Sequence, residues 1–332
     1  MRLFSKPLLG CKMLLTCTSL MISLSMVLCS CSANKEIKKS TAAVDSQHYS
    51  EFTETEDFPV KLEPMGDESF IIKEKPRRLA VLSADLVQAL DDIGAASTIS
   101  NICCDAPDSV NAPGAKMSGT VLDPDIDTIL ASKPSWVLVS TPMRQKHLDI
   151  LNHHGIQVIT FPSPVNTEEI CNRYRMLFTL CFGSKGNFAF QEFVQCYQEK
   201  YDSIVTPAAE YSDITGKKSG IYLAVPDYTM ATGETFEGQL METISVENMG
   251  SLGSQWLYPE EEQRKLNPEI IFYDKTIPEE KIIESDIYKN SIAVEENQLF
   301  PIDFSAVRLK GLPMLEELEK MATAAYPEAF PQ

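Results

Sequence analysis

Apolar side chains recur at steps of three and four through residues 185–205, KGNFAFQEFVQCYQEKYDSIV, and predict one long amphipathic helix. Phe190, Phe193, Val194, Tyr197, Tyr201, Ile204 and Val205 form its apolar stripe, and Gln191, Glu192, Gln195, Glu199 and Lys200 take the other face. Gly183 and Gly186 mark its start, and Pro207, which has no amide hydrogen to donate, is expected to stop it. The segments on either side echo one another. DTILASKPSWVLVS, 127–140, and EEQRKLNPEIIFYD, 261–274, each run from an acid through a leucine to a Lys-Pro or Asn-Pro pair and then into an apolar run. Each predicts a short helix, a proline-marked turn and a fully buried strand. The pattern implies two similar halves joined by a helix; the alternative is a core helix inside one large domain.

The same grammar extends in both directions. Residues 59–73 alternate around Met65-Gly66-Asp67 and predict a hairpin. Leu79 to Leu82 reads as a buried strand, Ser83 as a turn, and Leu86, Leu90 and Ile93 as the apolar face of a helix. Ser83 and Asp85 then stand at a strand's carboxyl end, where open α/β sheets bind ligands, or simply cap the helix. Residues 103–125 form a long loop, and a helix from Gln145 leads to a strand at 157–161. Past the central helix come a strand at 220–225, the polar and aromatic loop 226–233, a helix at 236–244, strands at 270–273 and 298–302, and a closing helix from Leu312 to Ala325. Such alternation predicts parallel sheets covered by helices, an α/β protein with lobes at 59–184 and 206–332 and a linking helix at 185–205.

The first residues are of another kind. Arg2, Lys6 and Lys12 precede an apolar run, 13–28, too short for a comfortable membrane span, and Leu28-Cys29-Ser30-Cys31 follows. This resembles a bacterial lipobox with Cys31 as the acylated residue, giving a lipoprotein signal peptide at 1–31; a plain signal peptide or short anchor is the alternative. Residues 32–58, rich in Ser, Thr, Glu and Lys, predict a flexible tether. The expected location is outside the cytoplasm, on the membrane through a lipid anchor.

Composition narrows the function. With 29 Lys and Arg against 47 Asp and Glu, the 332-residue chain carries a net charge of -18, which repels phosphate backbones and argues against nucleic acid. Cys103, Cys104, Cys171, Cys181 and Cys196 lack CxxC spacing and read mostly as reduced, buried small hydrophobes. No GxSxG, HExxH or GxxxxGK[ST] is present, His153-His154 sits at a helix end, and the acidic runs read as solvated faces. Neither catalytic residues nor a resident metal or cofactor is expected, which favours a binding protein over an enzyme.

KPRRLAVLSADLVQALDDIGA from Lys75, DPDIDTILASKPSWVLVS, HHGIQVITF, TFEGQLMETISVENMG and EEEQRKLNPEIIFYD together resemble the substrate-binding lipoproteins of ABC importers for ferric siderophores, haem and cobalamin. The resemblance spans roughly residues 59–326. It implies two Rossmann-like lobes with parallel sheets joined by one long α-helix, a ligand cleft between them, and a permease and ATPase as partners. It implies permease docking through Asp127 and Glu261, and ligand contact by residues that follow strands. Those are Ser83, Asp85, Ser140 and Thr141 in the first lobe, and Tyr228, Met230, Trp256, Tyr258, Asp274, Asp303, Phe304 and Arg308 in the second. Arg308, Arg144 and Lys275 are the basic candidates for an acidic ligand, and Tyr228, Met230, Met117 or a histidine for an axial haem ligand, none of which stands out by spacing. The rival readings are a direct binder of manganese or zinc ions, which four His in the chain disfavour, an enzyme or assembly subunit on the same fold, and a surface receptor that has lost transport.

Overall fold

The computed structural model describes residues 57–65, 68–224 and 229–331. The signal segment with Cys31, the tether as far as residue 56, and Tyr228 lie outside the described residues. The chain opens with an antiparallel hairpin, β1 (Val60–Met65) and β2 (Glu68–Ile72). The first lobe contains β3 (Leu79–Val81), α1 (Ala84–Asp92), β4 (Ile99–Ile102), β5 (Lys116–Met117), α2 (Ile126–Ser132), β6 (Trp136–Val139), α3 (Gln145–His153) and β7 (Gln157–Thr160). Its five strands are all parallel in the order β5-β4-β3-β6-β7. This is a doubly wound sheet whose strand order reverses at β3 and β6, the place where such sheets open a crevice.

Two helices follow, α4 (Thr167–Phe182) and α5 (Gly186–Thr215). The second lobe contains β8 (Ser219–Ala224), β9 (Thr229–Met230), α6 (Phe236–Thr243), β10 (Glu247–Asn248), α7 (Glu260–Gln263), β11 (Ile270–Asp274), α8 (Glu279–Ile283), α9 (Ile292–Glu295), β12 (Leu299–Ile302), α10 (Phe304–Arg308) and α11 (Leu312–Ala325). Strands β10-β8-β11-β12 are parallel, and β9 adds antiparallel to β8. The fold is therefore two Rossmann-like α/β lobes joined by one long helix.

Strand alternation sorts the core into three clusters. Leu79 and Val81 point to one side of the first sheet, and Ala80 and Leu82 to the other with Ile129, Val137 and Leu151. In the second sheet Tyr222 and Phe272 face one way and Ile221, Leu223, Ile271 and Tyr273 the other. The largest cluster takes the inner faces of both sheets together with α1, α4, α5 and α11, so the lobes share one continuous apolar core. At its centre α4 and α5 interlock through aromatic rings, Tyr174 to Phe193 at 4.5 Å and Phe178 to Phe193 at 5.6 Å between centroids.

Three features depart from the sequence reading. Pro207 does not stop the linking helix, which runs 30 residues to Thr215 and ends at Gly216, φ 93°. The amide missing at Pro207 would have bonded Ser203, whose residue is exposed, so water can satisfy that carbonyl. Beyond the proline, Ala208 and Ser212 continue the buried stripe of Phe190, Tyr197 and Ile204, and Lys200 pairs with Glu319 of α11 at 2.5 Å. Tertiary burial thus overrides local propensity. The echoed segments fold unequally, with seven residues in α2 and four in α7. The five described cysteines are thiols, but Cys104 and Cys196 are exposed where burial was expected.

Candidate functional site

Both sheets turn the carboxyl ends of their strands toward one cleft of about 1010 Å³. On the first-lobe wall β3 ends at Ser83. Its side chain does not cap α1; instead its Oγ accepts the main-chain N–H of Ser140 at 2.9 Å, tying the ends of β3 and β6 together at the order reversal. Ser83, Asp85, Ser140 and Thr141 all line the cleft, with Asp105, Ser109 and Thr120 from the long loop.

Asp85 is held by structure. Its Oδ2 lies 2.7 Å from Nη1 of Arg173 on α4, and its Oδ1 accepts the Leu86 N–H at 3.0 Å. Arg173, 1% exposed, donates from Nη2 to the carbonyls of Leu309 and Lys310 at 3.3 and 2.8 Å. Next to it the Asp92 carboxylate accepts from Tyr174 Oη, from Gln88 Nε2 at 2.8 Å and from the Leu312 N–H at 3.4 Å. The turn between α10 and α11 is thereby fastened to α1 and α4 at the cleft's base. Gly311 is required there, since a Cβ would fall 2.5 Å from the Tyr174 hydroxyl.

The second-lobe wall is aromatic and charged. Trp256 stands edge-on to Phe304 with centroids 5.6 Å apart, and both rings pack on buried Tyr222. Trp256 has φ 65°, an uncommon conformation for a bulky side chain, and its N–H reaches Thr232 Oγ1 at 3.4 Å. Asp303 caps α10 by accepting the Ala306 N–H at 3.2 Å and pairs with Lys275 Nζ at 2.6 Å. Burial alone would raise its carboxyl, but Lys275 and the main-chain donors hold it below its usual value. Arg308 is exposed along the wall, its guanidinium 5.8 Å from the centre of the Phe304 ring.

Trp256, Asp303, Phe304 and Arg308 therefore line the cleft as the sequence suggested, and Met230, Tyr258, Asp274, Arg144, Lys275 and Met117 do not. Met230 pairs with Leu223 across the antiparallel β8–β9 ladder, so both point into the outer core. Tyr258 packs against that core and Asp274 caps its own turn through Thr276 N–H at 2.8 Å. Lys275 is spent on Asp303. Asp127 and Glu261 are exposed on the first turns of α2 and α7, one on each lobe.

Glu237, Lys310 and Phe236 line the cleft without having been anticipated. Glu237 stands in the first turn of α6, where the sequence offers only a helix-start acid after the cap Thr235. Lys310 comes in at φ 51°, in a turn that no spacing announces. Its Nζ donates to the Pro164 carbonyl at 2.6 Å and lies 4.7 Å from the centre of the Phe236 ring.

Two parallel α/β lobes with a ligand-sized cleft at their strand ends define a two-lobed binding protein. The chain belongs to the periplasmic binding protein family, whose model matches residues 79–306. It is 20% identical over 292 residues to YvrC of Bacillus subtilis, described as an uncharacterized ABC transporter substrate-binding lipoprotein, covering 83% of this chain and 88% of that protein. Among solved structures it resembles the periplasmic heme binding protein HutB of Vibrio cholerae, with TM-score 0.63, 17% identity, and 75% of this chain and 99% of that one covered. The petrobactin-binding protein YclQ of Bacillus subtilis aligns with TM-score 0.63 at 14% identity, over 82% and 99%.

Proposed function

We propose that this protein captures a metal chelate, a ferric siderophore, haem or cobalamin, in the cleft between its lobes and delivers it to the permease of an ABC importer. The observation that carries the reading is the cleft itself, about 1010 Å³ at the strand ends of both lobes, large enough for a chelate. Its walls suit that cargo. Trp256 and Phe304 offer apolar ring surface, the serines and threonines offer hydrogen bonds, and Arg308 offers planar donors to a carboxylate or a chelating oxygen. The named relatives of the same fold, one for heme and one for petrobactin, support the ligand class.

A bare manganese or zinc site asks for converging His and carboxylate ligands. The described histidines, His147, His153 and His154, lie on or just after α3, away from the cleft lining. Exposed Asp127 and Glu261, one per lobe, are the proposed contacts for basic residues of the permease. Lipidation at Cys31 would hold the chain at the outer face of the membrane, and no chemical step is assigned to it. Uptake of radioiron-labelled chelates and labelled cobalamin by cells with and without this chain tests the proposal. Loss of one ligand class on deletion is expected, and unchanged uptake of every class contradicts it.

A further inference from the structure

Glu237 is 6% exposed and lies on the second-lobe wall of the cleft. A first-turn glutamate gains from the helix dipole without being buried, so its placement among the cleft side chains needs another reason. Among the described residues no other side chain bonds its carboxyl, whose only hydrogen bond is with its own main-chain N–H. Lys310 and Arg308 both pull on the carboxyl, but among the described residues neither forms an ion pair with it. Lys310 donates to the Pro164 carbonyl at 2.6 Å and faces the Phe236 ring, and Arg308 lies along Phe304. Close by, the hydroxyl of fully buried Tyr222 lacks a partner. A buried carboxylate without an ion-pair partner is costly to hold charged, and burial accordingly pushes Glu237 up from its ordinary value against the smaller pull of Lys310 and Arg308.

We propose that Glu237 is a specificity-determining residue of the cleft, whose carboxyl accepts a hydrogen bond from a protonated amine on the bound chelate and so gains the ion pair that the protein leaves unmade. The inference rests on the chelate reading above and narrows its substrate class. An ammonium answers the need better than an amide N–H, because it neutralises the buried charge as well as satisfying the oxygen. Arg308 and Lys310 on the same wall favour an anionic edge, so the wall fits a ligand of mixed charge.

The test is equilibrium binding to the full chain in detergent, for wild type and Glu237→Gln. The two probes are the ferric complex of a linear trihydroxamate with a free terminal amine and the same complex acetylated at that amine. Wild type should bind the free amine about tenfold more tightly or better, the factor expected of a hydrogen bond to a charged group. Glu237→Gln should bring the two probes to within about twofold of each other, since its amide keeps the shape and loses the charge. A merely structural role would weaken both probes alike and leave their ratio intact. Equal affinities in wild type, or an unchanged ratio in Glu237→Gln, overturn the proposal while leaving the chelate reading in place. Equal wild-type affinities overturn it even if the variant fails to fold. Binding of neither probe rejects ferric hydroxamates as cargo and the proposal with them.

Discussion

Arg173 Nη1 lies 2.7 Å from Asp85 Oδ2, and the same guanidinium donates to the main chain of Leu309 and Lys310. One side chain thus joins α1, α4 and the turn after α10, which belong to opposite walls of the cleft. An exposed pair would contribute little, but this one is 2% and 10% exposed at its two side chains.

Asp85→Ala leaves Arg173 charged, buried and short of its partner. The expected cost is about 3–5 kcal/mol of unfolding free energy, as for other broken buried pairs. Urea denaturation measures it, and a loss under about 1 kcal/mol, the scale of an exposed pair, contradicts the clamp.

Asp92 gives the fold a pH dependence of definite sign. Burial raises its carboxyl, and the bonds from Tyr174, Gln88 and Leu312 offset only part of that rise. The folded state therefore holds this proton more tightly than the unfolded chain does. That contribution is complete below the ordinary carboxylate value, about 4, and is lost as the pH rises through the raised folded value. Denaturation of wild type and Asp92→Asn from pH 4 upward should show wild type losing stability relative to the variant, whereas a constant difference contradicts the assignment.

The docking proposed for Asp127 and Glu261 would separate binding from delivery. Both are exposed and neither lines the cleft. Reversing both charges to lysine should leave chelate affinity within about twofold and reduce cellular uptake at least about tenfold, because charge at a rim acts mainly on encounter and register. Normal uptake by the double variant contradicts docking at this pair.

The fold was legible where burial is two-sided and periodic. Strands such as β6 and β11 announced themselves as unbroken apolar runs after a proline, and α5 by its stripe. The full length of α5 was hidden because Pro207 is a local signal, whereas Ala208 and Ser212 hold the helix on through contacts the sequence does not display. Ser83 and Ser140 could be nominated because they stand just after strands, whose ends point at clefts, whereas Trp256 and Arg308 came only from what the family resemblance implies. Met230 was misplaced because an antiparallel partner set its face through pairing with Leu223. Glu237 and Lys310 were invisible for a different reason. One looks like any acid at a helix start, and the other is aimed by a left-handed turn at φ 51° that is itself fixed by Arg173 and Asp92.

A chelate held in the cleft as proposed would lie beside Trp256, which lines it. The chain has two tryptophans, and Trp136 lies on β6 with its ring edge-on to Phe70 at 5.8 Å, outside the cleft lining. In Trp136→Phe all tryptophan emission comes from Trp256. Titration of that variant with ferric hydroxamates, ferric catecholates, haem and cobalamins should give saturable quenching by one class at micromolar concentration or below. Emission from Trp256 that stays unchanged with all four contradicts ligand capture at this cleft.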